Sequence, residues 1–207
     1  IMRKLPYDRP ETSMAQFKMC PACQEEYSDP ADRRFHAQPD ACFECGPEIG
    51  WIESGSADGL SLEGVSWAKN VEESDEIFHR AAKLIAAGGI VAVKGLGGYH
   101  LVCDAANEAA LAALRHRKHR PGKAFAVMVA SVEEARVFCD VNDAEARQLT
   151  SPARPIVLLR KRSDAMLAKG LADNLPELGV MLPTTPVQHL LLHECGGMLV
   201  MTSGNIH

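Results

Sequence analysis

From Ser74 onward the chain alternates between two spacings of apolar residues. Ile77, Ala81, Leu84 and Ile85 recur at a helical period behind Ser74, which can cap the helix, and Gly88-Gly89 can end it. Ile90–Lys94 then reads as a short buried strand leading into Gly95-Leu96-Gly97-Gly98, and Tyr99–Cys103 as an extended segment. Asn107 can cap a helix running to about Lys118. Ala124–Val129 is a strand, Ser131 with Glu134 forms a capping box, and Asn142 with Glu145 repeats the device. Pro155–Arg160 and Gly179–Leu182 read as strands. Thr185-Pro186 opens a helix with Pro in its first turn, and Met198–Thr202 is a last strand. Alternation of this kind predicts an α/β domain whose strand order the pattern leaves open.

The first fifty residues carry no such periodicity and are rich in Pro, Cys, Arg and Asp. A segment of this kind cannot build a self-sufficient apolar core and needs a staple. Residues 51–74, with Ser54-Gly55-Ser56-Ala57-Asp58-Gly59, read as a linker with room for one short strand. The expected organisation is therefore a small module over 1–50, a linker over 51–74 and a larger domain over 75–207.

With 46% hydrophobic and 24% charged residues, the 207-residue chain can bury enough apolar surface to fold. Its longest apolar runs are too short to span a bilayer. Ile1–Pro6 does not read as a signal peptide, so a soluble cytoplasmic protein is expected. A net charge of −5 disfavours wholesale nucleic-acid binding, which draws most of its affinity from phosphate neutralisation.

The cysteines change the picture most. Cys20-Pro21-Ala22-Cys23 and Cys42-Phe43-Glu44-Cys45 are two CxxC pairs separated by residues 24–41. That spacing is the signature of structural zinc, each CxxC turn bringing two sulfurs to one side of a tetrahedron. The competing reading is a pair of redox motifs or idle thiols. A four-thiolate site has no open position, so its metal would support folding rather than Lewis-acid chemistry. His36 lies between the pairs as a spare ligand candidate, more simply a packing residue. Cys103, Cys139 and Cys195 are most simply core residues.

In the larger domain three donor-rich elements stand at strand or helix ends. Lys94 precedes the glycines of residues 95–98, where backbone N–H groups could approach an anion, although a plain tight turn explains them equally. Lys118, Arg120 and Lys123 belong to the densest charge run, which is either a set of cations favoured by a helix C-terminus or a polyphosphate clamp. Thr202-Ser203-Gly204-Asn205 is the third. Convergence of strand-end loops on one ligand is common in open α/β sheets and tips the balance toward a clamp. Neither a Walker nor a dinucleotide fingerprint is present. His189 and His193 lack an HExxH glutamate and read as packing residues or as residues that support a ligand from behind.

Tyr99–Ala105, Lys118-His119-Arg120-Pro121 and Thr202–Asn205 resemble the YrdC/Sua5 domain. Leu5-Pro6-Tyr7-Asp8-Arg9-Pro10, the CxxC pairs with Arg33–Pro39 between them, and Cys45-Gly46-Pro47 resemble the HypF family of carbamoyltransferases that mature [NiFe]-hydrogenases. The resemblance implies a YrdC-like twisted mixed sheet with flanking helices, preceded by a small four-cysteine zinc-finger module. It implies that carbamate from carbamoyl phosphate is joined to ATP, with Mg2+, as carbamoyl-adenylate. Transfer to the C-terminal cysteine of HypE would follow, with acylphosphatase and Kae1-like domains of the family outside this stretch. On the same resemblance Lys94, Lys118 and Arg120 would be catalytic. Lys118, Arg120, Lys123, Thr202, Ser203 and Asn205 would bind nucleotide, and Cys20, Cys23, Cys42 and Cys45 would hold zinc. Threonylcarbamoyl-adenylate synthases carry a hydroxyl-bearing stretch where Gly95–Gly98 stands here, which favours the smaller carbamate. Met181 replaces an arginine frequent in that branch, and Ala124 a proline usual after Lys123. The rivals are an antibiotic O-carbamoyltransferase, a threonylcarbamoyl-adenylate synthase relative, and a non-enzymatic RNA-binding module.

Overall fold

A computed structural model describes residues 2–53 and 64–205. The chain divides into two compact units, Ile1–Ile77 and Phe78–His207.

The first unit is held by polar cross-links in place of an apolar core. Its buried hydrophobic side chains, among the described residues, are Cys20, Cys23, Tyr27 and Ala68. Arg9 is buried instead, its Nη1 donating to the carbonyls of Gln38 (2.8 Å) and Asp40 (2.5 Å) and its Nη2 to that of Phe17 (3.1 Å). One guanidinium fork thus ties together three chain segments that no hydrophobic core joins. Tyr27 Oη donates to Asp8 Oδ1 at 2.5 Å. Helix α1 (Pro21–Ser28), not expected from periodicity, starts at Cys20 with Pro21 in its first turn. Strands β1 (Gly50–Trp51) and β2 (Ser66–Trp67) pair antiparallel, so among the described residues the stretch expected as a linker with one short strand contributes to two, the first starting at Gly50. The expected loop at Ser54–Gly59 lies outside the described residues.

Helix α2 (Val71–Ala86) begins earlier than Ser74 predicts. Asn70 Oδ1 accepts from Glu73 N at 2.8 Å, while the Glu73 carboxylate accepts from Lys69 N and Asn70 Nδ2, a reciprocal cap that Ser74 cannot match. The helix buries Phe78, Ala81 and Ile85, with Ile77 and Leu84 half-buried.

In the second unit β3 (Val91–Lys94) and β4 (Tyr99–Asp104) form a hairpin, and α3 (Glu108–Arg117), capped by Asn107, packs on β4. The chain continues through β5 (Ala126–Met128), α4 (Val132–Phe138), β6 (Cys139–Asp140), α5 (Asp143–Thr150) and β7 (Val157–Lys161). It ends in β8 (Glu177–Met181), α6 (Pro186–Cys195) and β9 (Leu199–Ser203). The capping boxes of Asn142 with Glu145 and Thr185 with Gln188 both form. Ser131 caps α4, but Glu134 takes the N–H of Ala130 rather than that of Ser131. Strand β6 has no sequence signal, being two residues between two helices.

The sheet runs β3-β4-β9-β5-β8-β7-β6, antiparallel throughout except for the parallel β5–β8 pair. Its main core gathers Leu111, Leu114, Phe125, Val127, Leu149, Leu159, Leu178 and Val200. Cys103 and Cys139 belong to that core, while Cys195 is only half-buried. His189 and His193 are exposed rather than packed. No described helix is long and apolar enough to cross a membrane.

Candidate functional site

The four finger cysteines meet in one cluster. Their sulfurs lie within 4.8 Å of one another, with Cys20–Cys42 at 3.7 Å and Cys42–Cys45 at 3.8 Å, and none is in a disulfide. Thiolates about 2.3 Å from a tetrahedral zinc stand about 3.8 Å apart, so the donor set and its spacing fit that ion. Burial, then the surrounding thiols, pushes the Cys23 thiol up. Burial also opposes ionisation of Cys45, yet backbone N–H groups at Cys42 and Cys20, together with the Cys23 and Cys42 thiols, outweigh it and bring Cys45 down to about 7. The second CxxC turn closes through Gly46 N donating to Cys42 O at 2.7 Å, and a Cβ on Gly46 would stand 2.6 Å from that oxygen. His36 is outside the cluster and lies beside the rings of Tyr27 and Phe35.

In the second unit the three donor-rich elements meet at one end of the sheet. Pairing of Lys94 with Tyr99 and of His100 with Ser203 sets the end of β3, the start of β4 and the end of β9 side by side. Lys94 Nζ lies over the Tyr99 ring, 5.1 Å from its centroid. Lys118, only 1% exposed, donates from Nζ to the carbonyls of Ser203 and Asn205, both at 2.6 Å. Arg120 Nη1 is 3.4 Å from Thr202 Oγ1, and its other nitrogens donate to the carbonyls of Lys123 and Ala124. Ser203 Oγ donates to Asn205 Oδ1. The Lys123 side chain is exposed, its carbonyl being the part that joins the network.

Among the described residues none of Lys94, Lys118, Arg120 and Lys123 is in an ion pair. Burial and then the charge of Arg120 lower the affinity of Lys118 for its proton; burial and then Arg115 do the same to Arg120. Uncompensated like charges crowded at one edge make a positive field that an anion would relieve. Periodicity did not single out Arg115, Tyr99 or His100. Arg115 reaches the carbonyls of Gly170, Arg120 and Lys123, and a helix-terminal arginine carries no sequence mark of that reach. Two clefts lie apart from the cluster: one of about 250 Å³ beside Lys161 and Asp173, another of about 380 Å³ beside His79, Asp104 and Cys195.

A four-cysteine cluster of finger type, followed by an α/β domain whose sheet end gathers cations, sets the class of the protein. Residues 83–207 match the Sua5/YciO/YrdC family model, described as telomere recombination, and residues 19–52 match the HypF finger. Carbamoyltransferase HypF of Rhodobacter capsulatus is 52% identical over all of this chain, which covers 25% of that protein. The crystal structure of full-length HypF in the phosphate- and nucleotide-bound form superposes with a TM-score of 0.78 at 46% identity, again over the whole chain and 25% of the other. Human threonylcarbamoyl-AMP synthase is 29% identical over 74% of this chain and 52% of its own length. The chain thus spans about a quarter of the HypF proteins it matches. It belongs to the Sua5/YciO/YrdC family and, with its HypF finger, corresponds to the N-terminal region of the HypF proteins.

Proposed function

We propose that this chain performs the ATP-dependent activation step of a carbamoyl transfer. A carbamate oxygen attacks the α-phosphorus of ATP, the bond to the pyrophosphate oxygen breaks, and carbamoyl-adenylate and pyrophosphate result. The observation that carries this reading is the meeting of Lys94, Arg120 and the Ser203–Asn205 loop at one sheet end, with no carboxylate among the described residues paired to either cation. Cations and N–H donors fixed there would stabilise charge building on the α-phosphate and the leaving pyrophosphate. Lys94 stands at the acyl end, Arg120 and Lys123 meet the phosphates, and Thr202, Ser203 and Asn205 hold the nucleotide. Lys118 contributes through the loop it tethers. Mg2+ accompanies the triphosphate as part of the substrate.

The Gly95–Gly98 turn, closed by Gly95 N donating to Gly98 O at 2.7 Å, offers no hydroxyl for a larger acyl group and supports carbamate. Carbamoyl phosphate would be its source and the C-terminal cysteine of HypE its destination, with release and transfer performed by domains beyond this stretch. Zinc at the four cysteines would hold the finger, and the finger, linker and nucleotide domain divide at about residues 50 and 74.

Carbamoyl-phosphate-dependent ATP–pyrophosphate exchange tests the reading, run on this chain and on a full-length HypF relative, with ATP binding measured by calorimetry on the chain alone. Expected are ATP binding to the chain, little or no exchange by it alone, and exchange by the longer protein. Exchange that depends on threonine and bicarbonate would favour the threonylcarbamoyl reading, and absence of ATP binding would remove both.

A further inference from the structure

Arg115 lies in the last turn of α3, and every side-chain hydrogen bond described for it goes to a backbone carbonyl. Nε and Nη2 donate to Gly170 O at 2.8 and 2.6 Å, and Nη1 donates to Arg120 O (2.9 Å) and Lys123 O (3.0 Å). Its guanidinium lies over the Phe125 ring at 4.6 Å from the centroid, and that of Arg120 lies near the same ring at 5.2 Å. The residue therefore grips both ends of the Arg120–Lys123 loop and fastens them to the segment around Gly170. That segment is itself tied in, because Phe125 N donates to Leu171 O at 3.0 Å.

We infer that Arg115 is a positioning residue of the anion site: it sets the loop shape that presents Arg120 to the nucleotide. The inference rests on the nucleotide reading above and concerns a residue that would itself touch no phosphate. The chemistry requires arginine. A planar fork reaches acceptors on two sides at once, whereas a lysine ammonium, with its three donors at a single point, cannot span from Gly170 O to the loop carbonyls. Packing beside Phe125 makes the orphaned carbonyls costly, so the loop would rearrange to satisfy them.

The test uses this chain with calorimetry of ATP binding and thermal melting on the same samples. R115K keeps the charge and loses the fork; R117A removes an equal charge from an exposed neighbour. R115K is expected to weaken ATP binding about tenfold, the scale of one charge-assisted hydrogen bond, with the melting transition retained. R117A should stay within about twofold, as for an exposed charge in screening salt. The double variant R115K/R120A should bind no more weakly than R120A alone, because Arg115 acts through Arg120. Wild-type affinity in R115K, additive losses in the double variant, or loss of the melting transition in R115K would each overturn the inference while leaving the nucleotide reading intact. A wild-type chain that binds no ATP would overturn that reading and this inference with it.

Discussion

Lys118 donates its ammonium to the carbonyl of Ser203 at 2.6 Å, joining the end of α3 to the end of β9 across a sequence separation of 85 residues. A second bond of the same length reaches Asn205 O. The side chain is almost wholly buried, so it organises the loop at the edge of the anion site from behind.

Replacing Lys118 by Met therefore leaves two carbonyls without a donor. Thermal or denaturant unfolding should show a loss of about 3–6 kcal/mol, the sum of two unmade charge-assisted bonds in a buried place. ATP affinity should fall as well, because the Ser203–Asn205 loop is released.

Lys94 and Arg120 should separate in kinetics. Lys94→Ala is expected to slow carbamoyl-phosphate-dependent exchange in a full-length protein with little change in ATP affinity. Arg120→Ala should weaken ATP binding about tenfold or more, as for a lost charge-assisted contact. Equal effects of both variants on affinity alone would contradict the division of roles proposed for them.

One zinc per chain is expected from metal analysis, held by Cys20, Cys23, Cys42 and Cys45. Structural zinc in small fingers contributes apparent energies of about 10–16 kcal/mol, far more than the polar links of this unit can supply. A chelator should therefore melt residues 2–53 as seen by amide spectra while the second unit keeps its transition. A metal-free protein with an ordered finger would refute the staple.

Gly46→Ala should weaken the same metal without touching a ligand. Its Cβ would lie 2.6 Å from Cys42 O and 2.9 Å from Ala41 Cβ, so the knuckle between Cys42 and Cys45 must open. The readout is zinc release to a competing dye, faster in the variant than in wild type.

Asp8 should make the finger acid-sensitive. The hydrogen bond from Tyr27, then the N–H of Arg9, holds its carboxyl below the ordinary 3.8. For a lowered acid the folded state binds fewer protons, so the stabilisation is complete above 3.8 and is lost as pH falls through the folded value. Asp8→Asn should flatten the fall in the finger's melting temperature as pH drops below 3.8. An unchanged pH profile in the variant would show that Asp8 carries none of the dependence.

What could be read beforehand was whatever depends on neighbours in sequence. Asn142 with Glu145 formed as its spacing required, because a capping box closes within one turn, and Thr185-Pro186 opened its helix as the Pro in its first turn required. The start of α2 escaped for a similar reason: Ser74 and Asn70 are both legal caps, and Glu73 decides in favour of Asn70 through contacts that a preference table does not weigh. Strand β6 escaped because two residues carry no period; β7 makes it a strand by pairing Cys139 with Lys161.

Family membership was legible through the motifs that carry the resemblance, Tyr99–Ala105, Lys118–Pro121, Thr202–Asn205 and those around the CxxC pairs, and the four zinc candidates through the CxxC spacing, because such motifs are local in the chain. Sheet order, the burial of Lys118 and the reach of Arg115 were decided by the tertiary structure. Each depends on which distant carbonyl lies beside a given cation, and Gly170 and Ser203 come within hydrogen-bond distance only after the sheet has assembled. A charge run in a sequence is the same whether its cations face water, phosphate or backbone; here packing has turned Lys118 and Arg115 toward backbone and left Lys94 and Lys123 exposed.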